Sequence, residues 1–98
     1  MPAAEFAGAI RSITAGLREG APTHSRVNGA AVSIDRLGRR LHGQGWVRDR
    51  EIAGCFTAAV GELGACHTLP EAERGPAVDA AVRHLEAAAA HAEDGVQP

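Results

Sequence analysis

The chain has 98 residues, 45% of them apolar, with ten basic and twelve acidic residues and a formal charge of −2. That length holds one domain, 1–98, with one core, and the negative total weighs against a nucleic-acid binder, which needs a basic face. No apolar run approaches the ~18 residues of a membrane-spanning helix, and the N-terminus shows no basic-then-apolar leader, so neither a membrane partner nor a cleaved signal is expected.

Pro2 suits a first helical turn, and Phe6, Ile10, Ile13 and Leu17 then recur at helical spacing, which predicts a helix over roughly 3–19. Gly20 is placed to close it and Pro22 prevents its continuation. Thr23 or Ser25 can cap a second helix, 25–42, whose seam is Val27, Ala30, Ile34, Leu37 and Leu41. On its outer side Asp35 and Arg39 stand one turn apart and should pair, while Arg36 and Arg40 share another line. Gly43, Gln44 and Gly45 end the helix, and Trp46 precedes Asp49, a good N-cap for the next, so Trp46 reads as a lid over the end of the bundle.

The third helix, 49–67, carries the chain's most unusual pattern. Ile52, Phe56, Ala59, Val60, Leu63 and His67 form a broad face, and beside it runs a strip of small residues, Gly54, Ala58, Gly61 and Ala65. Such a helix belongs at the centre of a bundle, with the strip as an interface that lets another backbone come close, within the chain or across a dimer. Thr68 to Glu71 has the spacing of a capping box, and Gly75-Pro76 starts a last helix, 76–93. That helix should bury Val78, Ala81, Val82, Leu85, Ala88 and Ala89, leaving a frayed tail at 95–98. No period-two alternation marks a strand. The expected fold is an all-α up-down bundle of about four helices, with a thin, alanine-rich core that dimerisation would complete.

Glycine adds to that argument. Gly8, Gly16, Gly29, Gly38, Gly54, Gly61 and Gly64 all fall inside predicted helices, where each costs roughly 1 kcal/mol against alanine. Close helix–helix contact is the simplest way to offset such a cost.

The candidate chemistry is sparse. Histidines 24, 42, 67, 84 and 91 show no metal-ligand spacing, Cys55 and Cys66 are about three turns apart on one helix and cannot bridge, and no nucleophile elbow, phosphate loop or carboxylate pair is legible. No cofactor, no metal and no catalytic residue is therefore assigned, and unpaired thiols fit a cytoplasmic protein. Charge is the strongest feature: residues 25–50 hold six arginines against two acids, whereas 51–98 hold eight acids against two arginines. Arg36, Arg39, Arg40 and Arg48, with Trp46 among them, could hold an anion, or could pair with the acidic last helix.

Size, helix content and a tryptophan near the midpoint resemble the WXG100 type of small secreted helical proteins. That resemblance implies a two-helix hairpin and export. The Trp-x-Gly of that family is not reproduced, since Arg48 stands at its glycine, and the chain has no tyrosine for the C-terminal export motif. Pro22 and Pro76 would also interrupt the hairpin's helices.

The function expected from the residues is a small non-catalytic interaction or assembly module, homodimeric or docked on a protein partner. The alternative is a binding protein or enzyme accessory for an anionic small molecule or nucleic acid, acting through residues 36–50. A secreted helical protein is the third reading.

Overall fold

The computed structural model describes residues 1–94, so the expected fraying at 95–98 lies outside the described residues. Four helices, α1 (Ala3–Arg18), α2 (His24–Leu41), α3 (Asp49–Ala65) and α4 (Gly75–Asp94), follow one another around a bundle 44 Å long and 20 × 18 Å across. Two 3-10 turns, Cys66–Thr68 and Glu71–Glu73, link α3 to α4. No strand occurs among the described residues. The expected four-helix order is thus the observed one, and it differs from a two-helix hairpin.

Local chemistry explains most boundaries. Gly20 takes a left-handed φ of 79° after α1, and the Thr23 side chain accepts the Arg26 amide at 3.2 Å to cap α2. Asp49 acts differently from the expected cap: its carboxylate reaches back to accept the Trp46 amide at 3.1 Å, and so closes the turn that precedes α3. Thr68 likewise donates its hydroxyl to the Ala65 carbonyl at 2.9 Å, so the expected capping box does not form.

The core is built of Phe6, Ile10, Ile34, Leu41, Ile52, Phe56, Leu63 and Leu85 together with a run of small residues. Ala81, Ala88, Ala89 and Ala92 on α4 are fully buried, as are Ala7 on α1 and Ala59 on α3. Methyl-sized side chains on facing helices let α4 lie tightly against α1 and α3 along its length. Trp46 is half-buried with its ring edge-on to Phe6, centroids 5.1 Å apart, and covers the end of the bundle as expected.

Two expectations are corrected. α3 is not the central helix of the bundle: α4 packs most closely on its two neighbours, α1 and α3, while Val60 on α3 and His67 in the 3-10 turn after it are exposed. The strip of small residues is uncovered within the chain, with Gly54, Gly61 and Ala65 exposed and Ala58 half-buried. A methyl group added at Gly54 or Gly61 would meet no atom within 4 Å. Within the chain, close backbone approach is served by the alanines of α4.

The acidic outer face of α4 pairs with α1, not with the basic middle of the chain. Arg11 bonds Glu93 at 2.6 Å and Arg18 bonds Glu86 at 2.7 Å. The Arg11 guanidinium holds the Glu93 carboxyl below its ordinary range. α2 packs on α1 and α3 and stands diagonally across from α4, which leaves its arginines out of reach of those acids.

Candidate functional site

Two features stand out above this framework: a buried polar hub at one end of the bundle and an arginine-walled groove along α2.

The hub is centred on Arg74, only 5% exposed. Its Nε donates to the Cys66 and Leu69 carbonyls at 2.9 and 3.0 Å, and its Nη1 donates to the Pro22 carbonyl at 2.9 Å. The bond to Cys66 satisfies the carbonyl that caps the C-terminal end of α3, where the helix dipole favours a cation. Nη2 lies 2.9 Å from His24 Nε2. Arginine only donates, so His24 Nε2 must accept and the His24 proton sits on Nδ1. That nitrogen lies 2.9 Å from Nδ1 of His67, which must accept in turn, leaving His67 protonated on Nε2.

The imidazoles are 5° from parallel with centroids 5.1 Å apart. This separation is the N···N distance extended by the two ring radii, so both nitrogens lie on the line between the centroids. The rings are therefore coplanar and edge to edge, joined by an in-line N–H···N bond. A shared ion does not fit there: metal–nitrogen bonds of about 2.0–2.1 Å in tetrahedral geometry would hold the nitrogens about 3.3 Å apart and off that line. Among the described residues no three His, Cys, Asp or Glu side chains converge. The hub is a fastening of three segments, the α1–α2 connection, the end of α3 and the start of α4. Because His67 is exposed and supplies one bond, His67→Ala is expected to cost about 1 kcal/mol in urea denaturation, with little change in the slope.

The groove runs between α1 and α2 and has a volume of about 570 Å³. On α1 its wall is Ala9, Ser12, Ile13, Gly16 and Leu17, a continuous helical stripe. On α2 the facing stripe is Gly29, Ala30, Ser33 and Leu37, with Arg26, Arg36 and Arg40 along its rim. The floor is apolar and the walls are low. Arg26 is anchored, its Nη1 donating to the Gly16 carbonyl at 2.7 Å and tying α2 to the end of α1. No carboxylate lines the groove, and none pairs with Arg26, Arg36 or Arg40 among the described residues.

The arginines singled out in the sequence are divided by this geometry. Arg36 and Arg40 line the groove together. Arg39 is turned to the other side of α2, where it pairs with Asp35 at 3.0 Å, as expected, beside a smaller cleft of about 370 Å³ against α3. Arg48 lies 3.7 Å from Glu51, and Trp46 is committed to Phe6. The five residues thus form no single anion cluster. Arg26, Ser12, Ser33 and Gly16 were missed by the sequence reading, although their helical spacing on α1 and α2 was available. Arg74 carried no sequence signal, because its partners are mainly backbone carbonyls.

Both cysteines are free, Cys66 buried and Cys55 half-buried. Burial pushes both thiols above their ordinary range, which opposes nucleophilic chemistry at either one. Comparison with protein families, with curated proteins and with solved structures gives no match to this chain.

Proposed function

We propose that the chain is a non-catalytic interaction module that docks a protein partner in the groove between α1 and α2. The observation that carries this reading is the groove itself: an apolar floor about two and a half turns long, bounded by two helical stripes of small residues and rimmed by arginines that no carboxylate among the described residues neutralises. Such a channel matches the way an amphipathic helix is received by a helical protein. The hub and the Trp46–Phe6 contact fix the two ends of α2 and so preform the channel. The free thiols fit residence in a reducing cytoplasm. The exposed strip Gly54, Ala58, Gly61 and Ala65 is the rival surface, through which two copies would associate.

Site-specific photocrosslinking in the producing cell separates these surfaces. With benzoylphenylalanine in place of Ser33, in the groove, a discrete covalent adduct to another protein is expected. With the same group in place of Gly61, in the strip, none is expected. Adducts from the strip alone, or from neither position, would overturn the groove reading.

A further inference from the structure

We infer that the occupant of the groove is an amphipathic helix with acidic residues along one edge, an inference that rests on the docking reading above. The shape of the channel argues for a helix. Ala9, Ser12, Gly16 on one wall and Gly29, Ala30, Ser33 on the other place nothing larger than a hydroxymethyl group along the rails. A third helix can therefore seat its side chains between these rails and reach Ile13, Leu17 and Leu37 beneath. An added Cβ at Gly16 or Gly29 would meet no atom of the described residues within 4 Å, so the space above both glycines is open.

Charge fixes the kind of helix. Arg36 and Arg40 are four residues apart on α2, one turn or ~6 Å of rise, which suits two carboxylates at the same spacing on the occupant. Arg26 lies ten residues earlier, ~15 Å along the axis, where its remaining N–H groups can meet a third acid ten or eleven residues away on the occupant. Among the described residues the groove offers no carboxylate to answer a basic partner. A lysine-edged helix would face three like charges, and a neutral one would leave the arginine rim partly desolvated without compensation.

The test titrates an isotope-labelled full chain with three probes and follows its backbone amide resonances. The first is an eighteen-residue designed helix with Leu and Ala on one face and Glu at positions matching Arg26, Arg36 and Arg40. The second has Lys in place of each Glu, and the third is decanoate. The expected result is saturable binding of the Glu helix alone, with shifts confined to α1 residues 9–17 and α2 residues 26–40. Arg36→Gln with Arg40→Gln should then weaken binding about tenfold at low salt and less as salt rises, without altering the far-ultraviolet circular dichroism. Equal binding of the Lys helix, binding of decanoate alone, or no binding of any probe would overturn the acidic-helix assignment. So would sedimentation showing a dimer of the free chain that Ser33→Trp dissociates, since the occupant would then be a second copy. A crosslinked partner from position 33 combined with no binding of the Glu helix leaves docking intact and removes only the acidic occupant, so the two failures are distinguishable.

Discussion

Arg74→Met is expected to lower the folding free energy by about 3–5 kcal/mol, the largest loss from any single polar substitution in this chain. Methionine keeps much of the side-chain volume and removes every donor. The Cys66, Leu69 and Pro22 carbonyls and the accepting nitrogen of His24 would then lose their partner in a site that is almost closed to water. Each stranded buried acceptor costs about 1–3 kcal/mol, reduced where water can enter beside the exposed His24. Arg74→Lys should recover little, because one ammonium cannot reproduce the planar fork that reaches the end of α3 and the α1–α2 connection at once. Chemical denaturation measures the loss, and nitrogen-detected spectra of the imidazoles provide a second readout. In the native chain His24 should carry its proton on Nδ1 and His67 on Nε2, and in Arg74→Met that ordering should relax. A loss below about 1 kcal/mol would show that water replaces the guanidinium without difficulty.

The second large effect has the opposite sign. Gly8→Ala, Gly54→Ala and Gly61→Ala combined are expected to stabilise the chain by about 1.5–3 kcal/mol, and to raise the melting temperature by about 10 °C or more. All three glycines are exposed inside helices, none has a left-handed φ, and an added methyl would touch nothing within 4 Å. The gain comes chiefly from restricting the unfolded chain, and well-separated sites should add. Gly20→Ala is the control: with φ at 79° it should destabilise. The combined variant also judges the strip on α3. If Gly54→Ala and Gly61→Ala raise stability and leave the sedimentation of the chain unchanged, no backbone packs on that strip. Loss of an oligomer would show that one does.

What could be read from the residues follows from which of them contrast with their neighbours. Phe6, Ile10 and Leu17, or Val27, Ile34, Leu37 and Leu41, are bulky apolar residues among polar ones, and all are buried in the structure. The four helices and their order followed from that contrast. Gly54, Ala58, Gly61 and Ala65 have almost no hydropathic sign, so a small face looks the same whether it meets a backbone or water. Alanines of α4 turned out to be the close-packed ones because Val78, Val82 and Leu85 on the same helix draw it into the core. The charged residues were separated by helical angle. Arg36 and Arg40 project together, whereas the adjacent Arg39 points about 100° away from Arg40 and finds Asp35. His24 and His67 are 43 residues apart, and no local pattern could bring them together.

α4 holds α1 on one side and α3 on the other, while α2 closes the remaining side as a panel hung on the connections 19–23 and 42–48. Detaching that panel breaks the fewest interactions, so partial opening of the molecule begins there. A panel swung out from one copy matches the vacancy in another, which gives concentrated protein a route to strand-free domain exchange. What opposes it, besides the buried stripe Val27, Ile34, Leu37 and Leu41, is a set of clasps at its ends: the Arg74 guanidinium holding Pro22 and His24, Arg26 holding Gly16, and the indole of Trp46 resting on Phe6.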